Sequence, residues 1–75
     1  MMLPELIKTL RTRMLMSQET FAKEIHVTVC TINRWENGKS KPNITAINTI
    51  KTFCSKNNVS FDAIENAWLE VSKND

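Results

Sequence analysis

Hydrophobic positions recur at helical spacing along the whole chain, and they predict five helices. In the first segment, Ile7, Leu10 and Met14 fall on one face, and Arg11 lies at the edge of that apolar stripe. Pro4 stands near the start of the segment, where the first turn of a helix tolerates proline. The chain is therefore expected to open with an amphipathic helix whose apolar side faces the interior.

Two short helices joined by a tight turn follow. Ser17 and Thr28 are suited to cap them, because a hydroxyl oxygen accepts a hydrogen bond from a backbone N–H of the first turn. Asn37 and Gly38 end the second of the two, since both residue types tolerate a left-handed backbone. Such a pair crosses at a steep angle and presents its second helix outward. The inward faces consist of Phe21, Ala22, Ile25, Ile32 and Trp35.

Two more helices complete the pattern. The fourth begins at Asn43 and is apolar over more than half of its circumference, which predicts a central, buried helix. A polar turn at residues 55–59 separates it from a fifth helix capped by Ser60. We therefore predict an all-α fold: one compact five-helix domain over residues 1–75, with its core at about 5–72. The apolar residues are Ile44, Ala46, Ile47, Ile50, Phe53 and Cys54 in the fourth helix and Phe61, Ile64, Ala67, Trp68 and Val71 in the fifth.

Charge is distributed unevenly along the chain. Residues 1–56 contain nine Lys or Arg against four Asp or Glu, whereas residues 57–75 contain one against four. The small net charge of +2 is therefore the sum of a basic segment, residues 1–56, and an acidic segment, residues 57–75. This distribution indicates that the basic segment binds a polyanion. Glu5 and Lys8 interrupt the apolar start, and no 18-residue apolar run exists, so we expect a cytoplasmic protein.

The cysteine and histidine content excludes several kinds of site. Cys30 and Cys54 are 24 positions apart with no C-x-x-C spacing, which is typical of reduced thiols. Two thiols and the single imidazole of His26 fall short of four zinc ligands. No carboxylate cluster, Cys/His pair or phosphate-cradling glycine loop supports an enzyme. We predict neither catalysis nor a metal or cofactor.

The outward face of the third helix carries the candidate chemistry. It holds Val29, Cys30, Asn33 and Arg34, opposite the apolar face. In a DNA major groove, arginine can bind guanine through two hydrogen bonds, asparagine can bind adenine, and small apolar side chains can pack on a thymine methyl. The alternative interpretation is a solvated surface with two stray apolar residues.

At these residues the sequence resembles the lambda-repressor-like, Cro-type helix-turn-helix family, which includes regulators of the xenobiotic response element type. The resemblance rests on S-Q-E-T-F-A at 17–22, Val27, Thr28, Ile32, R-W-E-N-G-K at 34–39 and Pro42, and runs from about Ile7 to Leu69. It implies a bacterial or phage transcription regulator, expected to be a repressor. The regulator would place residues 28–37 in the major groove of double-stranded DNA.

The resemblance also implies roles for individual residues. Positions that match phosphate-contacting residues of the family are Gln18, Thr28, Asn37, Lys39 and Lys41. For the threonine and the asparagine the alternative role is helix capping, and for the two lysines it is solvated charge. His26 and Leu15 stand where the family often has glycine, and for His26 this predicts a strained turn residue.

Two further hypotheses concern stability and assembly. Arg11 and Glu36 are expected to form an ion pair that joins the first and third helices. Leu69, off the inward stripe of its helix, is the candidate dimer surface together with Asn57 and Asn58, and a homodimer would bind an approximately palindromic operator. The alternative function is a protein-interaction or antitoxin-like module with weak or no DNA binding.

Overall fold

The computed structural model describes residues 2–73, with side chains through residue 71. Within this range the chain forms helices and no strand, which confirms the predicted all-α fold. None of the helices in residues 2–73 is long and apolar enough to cross a membrane. The helices are α1 (Leu3–Arg13), α2 (Gln18–Glu24), α3 (Val29–Glu36), α4 (Ile44–Lys56) and α5 (Asp62–Lys73).

Side-chain caps begin the second, third and fourth helices; the sequence predicted those of Ser17 and Thr28, and the cap of the fourth helix by Asn43 is a finding of the structure. A cap of this kind stabilises a helix by about 1 kcal/mol, because it satisfies a backbone N–H that has no partner within the helix. The bonds run from Thr20 N–H to Ser17 Oγ (3.1 Å), from Thr31 N–H to Thr28 Oγ1 (3.2 Å) and from Ala46 N–H to Asn43 Oδ1 (2.8 Å).

The core forms where the apolar faces of the helices meet. α1 packs against α3 and α5, and α2 packs against α3. α4 contributes five buried side chains, the largest share of any helix in the described part of the chain, as expected of a central helix. Phe21 and Phe53 meet edge to face with ring centroids 5.5 Å apart, a favourable arrangement for aromatic pairs.

Three of the turns between helices contain left-handed residues that are not glycine. Leu15 has φ 58° and His26 has φ 61°, so His26, the turn residue that was predicted to be strained, lies in the left-handed region. Asn58 also has a positive φ of 57°, and Gly38 has 70°. A left-handed backbone costs a residue with a Cβ about 1–2 kcal/mol. The turns are therefore held in place by the packing of the helices on either side.

The end of α3 and the start of α4 differ from the sequence prediction. Gly38 alone takes the left-handed conformation, whereas Asn37 has φ −99°. The helical spacing predicts that Ile44 is buried, but it is 61% exposed. It is the first residue of α4 and lies about 120° around the axis from the middle of the buried face.

The turn between α4 and α5 lies two residues later in the chain than predicted. Ser55 and Lys56 belong to α4, so the turn begins at Asn57 instead of residue 55. The side-chain amide of Asn57 donates to the Phe53 carbonyl at 2.8 Å and closes the helix. On the other side of the turn, Ser60 Oγ accepts from Asp62 N–H at 3.4 Å. Ser60, the predicted cap of α5, therefore makes only this long hydrogen bond to the start of the helix.

Candidate nucleic-acid interface

The outward face of α3 is exposed because the inward face is anchored in the core. Ile32 is 0% exposed and Trp35 is 4% exposed, so the positions between them point to solvent. The structure brings all four predicted base-reading residues together on this open face: Val29, Cys30, Asn33 and Arg34. An exposed helical face of this composition has the size and chemistry to enter a major groove.

The polar side chains of this face differ in whether they already have hydrogen-bond partners within the chain. Arg34 has no side-chain partner among the described residues, so all its guanidinium donors are available to a ligand. Asn37 Nδ2 donates to the Asn33 carbonyl at 2.8 Å and to Asn33 Oδ1 at 3.2 Å. Asn33 thus keeps its own amide N–H groups for a ligand, and Asn37 acts at the helix end.

The two candidate phosphate contacts at the helix starts are already engaged within the protein. Thr28 Oγ1 caps α3 and shares a 2.9 Å hydrogen bond with Thr31 Oγ1. Gln18 Nε2 donates to Glu36 Oε1 at 3.1 Å, a contact that the sequence analysis missed. One amide hydrogen of Gln18 and its backbone N–H, which lies in the first turn of α2, have no partner within that helix.

Lys39 and Lys41 lie in the connection that follows α3. The side chain of Lys39 is exposed, while Lys41 is half-buried and lines a groove beside Thr31 and Trp35. The positive charge of this connection is therefore placed beside the third helix. Lysine side chains in such a position are suited to contact phosphate.

Arg11 and Glu36 form a two-point ion pair between α1 and α3. Arg11 Nε donates to Glu36 Oε2 at 2.7 Å, and Nη2 donates to Oε1 at 2.9 Å. The remaining Arg11 nitrogen donates to the Met16 carbonyl at 2.9 Å. The two side chains are 12% and 4% exposed. Because Glu36 also binds Gln18, the pair connects α1, α2 and α3.

The ion pair shifts the pKa of both of its members. The hydrogen bond to Glu36 raises the pKa of Arg11 despite an opposing effect of burial. For Glu36, burial favours the neutral form, but the hydrogen bonds from Arg11 and Gln18, with the charges of Arg11 and Lys8, bring the pKa below its ordinary value. Both groups are therefore stabilised in their charged forms.

The predicted dimer residues do not all line the same groove. Leu69 is 48% exposed and lines an open groove of about 230 Å³ between α4 and α5, which we term the α4–α5 groove. Asn57 and Asn58 are exposed but do not line it. The exposed Ile44 does line it, and the sequence analysis missed this residue because its spacing placed it on the inward face.

The two cysteines occupy different environments. Cys30 is exposed on α3, whereas Cys54 is fully buried in α4, where burial raises the pKa of its thiol. In the described part of the chain, no group of three or more His, Cys, Asp or Glu side chains could hold a metal ion.

A helix-turn-helix family model matches residues 7–53 of the chain. The match covers most of α1, all of α2 and α3, and most of α4, and it leaves α5 outside. No curated protein and no solved structure matches the chain.

Proposed function

The chain belongs to the lambda-repressor-like helix-turn-helix family of DNA-binding regulators, and from this premise we propose that it binds specific double-stranded sequences as a transcriptional repressor. The observation that supports specificity is the outward face of α3. Its arginine and asparagine are exposed beside two small apolar side chains, and the helix is fixed from behind by buried Ile32 and Trp35.

Base reading is assigned to the exposed face of α3. The guanidinium of Arg34 can donate two hydrogen bonds to the O6 and N7 atoms of one guanine, and Asn33 can donate to an adenine. Val29 and Cys30, in the first turn, are suited to contact a thymine methyl. A pair of this kind between arginine and guanine discriminates against the wrong base by about 1–3 kcal/mol.

Phosphate contacts hold the domain on the duplex but do not read sequence. We assign this role to residues around the two helix starts and the connection after α3, where the backbone of a duplex docked on α3 would pass: Gln18, Thr28, Asn37, Lys39 and Lys41. The hydrogen bond from Gln18 to Glu36 fixes the Gln18 side chain relative to α3. The proposed phosphate contact of Gln18 and the exposed face of α3 therefore move as a unit.

The dimensions of the domain are compatible with a dimer on two adjacent half-sites. A single short helix offers few base contacts, and half-sites one helical turn apart are separated by about 34 Å. The described chain measures 30 × 25 × 22 Å along its principal axes. Two such domains in direct contact can therefore place their α3 helices on the same side of an approximately palindromic operator.

Selection of bound sites from a random duplex library at two salt concentrations tests the function. We expect a shared motif with a dyad, and affinity that falls as salt rises, because phosphate binding releases counterions. A library with no enriched motif and no salt dependence would instead favour the protein-interaction module.

Substitutions then separate base reading from phosphate binding. We expect Arg34→Ala to weaken the selected site by about 1–3 kcal/mol per half-site and to relax one base position. We expect Lys39→Ala to weaken all sequences about equally and to lower the salt slope by about one unit per half-site. Arg13→Ala, which removes a charge on the α1–α5 side, is the matched control. Equal losses on specific and random DNA for Arg34→Ala would refute the reading role.

A further inference from the structure

The end of α3 contains the sequence of this chain that is most prone to spontaneous deamidation. Gly38, the single glycine of the chain, directly follows Asn37. The backbone nitrogen of a residue can attack the side chain of an asparagine before it, and glycine offers no Cβ that would hinder the approach. The seven other asparagines are each followed by a larger residue. Asn37 is therefore the position at which this chemistry is expected first.

The reaction needs only Asn37, Gly38 and water. The Gly38 nitrogen forms a bond to Asn37 Cγ, the Cγ–Nδ2 bond breaks, and Nδ2 leaves as ammonia with the proton that the Gly38 amide gives up. Water then opens the resulting cyclic imide at either of its two carbonyls. The product is aspartate or isoaspartate, and the proton of the new acid is taken up by the ammonia. Each product carries one negative charge that the asparagine did not have.

In the folded chain, hydrogen bonds keep the two reacting groups apart. Asn37 Nδ2 donates to the Asn33 carbonyl at 2.8 Å and to Asn33 Oδ1 at 3.2 Å, which holds the side chain back along α3. Gly38 N–H donates to the Trp35 carbonyl at 3.2 Å, so the attacking nitrogen keeps its proton and is directed toward the helix. Ring closure therefore requires the end of α3 to open.

The end of α4 has the same geometry and serves as an internal reference. Asn57 has φ −104° and ψ 10°, against −99° and 5° for Asn37. Its amide also donates to the carbonyl four residues back, at 2.8 Å. Both helix ends are closed by the same pair of backbone hydrogen bonds, a Schellman motif, at residues 34–39 and 54–59. The residue after the asparagine is the difference, because it is glycine in α3 and asparagine in α4.

The charge of the product acts against the end of α3. A carboxylate at position 37 has no N–H to donate, so its oxygens face the Asn33 carbonyl without a hydrogen bond. A negative charge at the carboxyl end of a helix is also opposed by the helix dipole. Asn37 is in addition a proposed phosphate contact, and a carboxylate there repels the DNA backbone. Deamidation is therefore expected to loosen the helix end and to weaken DNA binding.

We propose that Asn37 is a modification site, at which deamidation is blocked by the closed end of α3 and inactivates the DNA-binding surface once that end has opened. The frequency of opening then determines how long a chain keeps its asparagine. The protection by the fold rests on the hydrogen bonds alone, whereas the inactivation rests on the proposed function.

Mass spectrometry of the whole chain at mildly alkaline pH, followed by peptide mapping, tests the protection. We expect Asn37 to deamidate in guanidinium chloride, and about tenfold or more slowly in the native chain, since ring closure must await an opening of the helix end. Asn57 should react more slowly than Asn37 in the unfolded chain, because Asn58 hinders the attack. Asn37→Gln should abolish the fast reaction, because its longer side chain would have to close a larger ring.

Either of two results would overturn the protection by the fold. Equal rates at Asn37 in the native and unfolded chains would show that the hydrogen bonds do not restrain the reaction. An unfolded chain in which Asn37 reacts no faster than the other asparagines would show that Gly38 does not promote it.

Binding of a mixed-sequence duplex tests the inactivation. Asn37→Asp reproduces one product, and Asn57→Asp, about 20 Å along α4 from its start, is the matched control. Both variants should lower the thermal midpoint by similar amounts, since each places a carboxylate at an equivalent helix end. Asn37→Asp alone is expected to weaken binding, by about tenfold, because it adds a negative charge beside the exposed face of α3. Circular dichroism melts verify that both variants fold.

The outcomes separate this proposal from the proposed function. Equal effects of the two variants on DNA binding, or no effect of Asn37→Asp, would overturn the inactivation even if the wild type binds DNA. A wild type that binds no DNA would overturn the proposed function, and the inactivation with it. Slow native deamidation at Asn37 would still support the modification site in that case, because it is measured without DNA.

Discussion

Removing one member of the ion pair between Arg11 and Glu36 is expected to destabilise the domain strongly. The Glu36 side chain is 4% exposed and Arg11 is 12% exposed, so loss of either partner leaves a buried charge without its counterion. This kind of loss costs about 3 kcal/mol or more. The whole stability of a 75-residue domain is expected to be about 4–11 kcal/mol. Arg11→Met, which keeps an unbranched side chain but removes the charge, should therefore lose a large fraction of this stability.

The pH dependence of the effect follows from the direction of the pKa shift. Since the pKa of Glu36 is lower in the folded chain than in the unfolded chain, the pair stabilises the fold fully above the ordinary pKa of glutamate. This stabilisation is lost as the pH falls through the lowered folded-state pKa. In Arg11→Met the burial of Glu36 is no longer offset by the arginine, so its folded-state pKa is expected to rise above the unfolded value. The variant then loses stability as the pH rises.

Urea denaturation of the wild type, Arg11→Met, Glu36→Gln and the double variant, repeated from pH 3 to pH 7, measures both effects. The stability gap between the wild type and Arg11→Met should widen as the pH rises. The double variant should be much more stable than the sum of the single losses predicts, because no charge is stranded in it. Single losses below about 1 kcal/mol that add in the double variant would show that the pair behaves like a surface pair. A gap independent of pH would refute the assignment to Glu36.

Two other predictions concern strain and thiol reactivity. Leu15 is 94% exposed with φ 58°. Leu15→Gly relieves the strain of the left-handed backbone but adds conformational freedom to the unfolded chain, so it should raise the free energy of unfolding by about 0.5–1 kcal/mol. Leu15→Ala, which keeps a Cβ, should show no such gain in thermal melts, and equal gains for both variants would contradict the backbone explanation. Exposed Cys30 should react with a thiol reagent in the native protein, whereas Cys54, buried and with a raised pKa, should react only on unfolding. Bound operator DNA should slow the reaction of Cys30, and an unchanged rate would argue against its position in the groove of the duplex.

Local chemistry accounts for what the sequence predicted correctly about the fold. A hydroxyl cap bonds to the first turn of its own helix, so the caps at Ser17 and Thr28 could be predicted without knowledge of tertiary contacts. The end of α4 was misplaced because Ser55 and Lys56 are polar, and polarity is equally typical of a turn and of an exposed helix surface. The helix ends where Asn57 bonds back to the Phe53 carbonyl.

Contacts between distant segments explain what the sequence could not predict about the site. The exposed face of α3 follows from the spacing of Ile32 and Trp35 alone, and it was found. The bond between Gln18 and Glu36 joins residues 18 positions apart on different helices, and no periodic signal marks it. It depends on how α2 crosses α3, which only packing determines.

The α4–α5 groove shows the same limit for surfaces shared by two helices. Periodicity identifies Leu69 as pointing away from the core, but it does not show which outward residue of another helix lies beside it. That relation is determined by the hydrogen bond from Trp68 to Pro42, which sets α5 along α4 and brings Ile44 opposite Leu69. The same bond sets Lys51 and Glu65 on opposite walls, and each is an ordinary exposed charge when its own helix is considered alone. Which side chains line one groove is therefore a property of the pair of helices and of their packing.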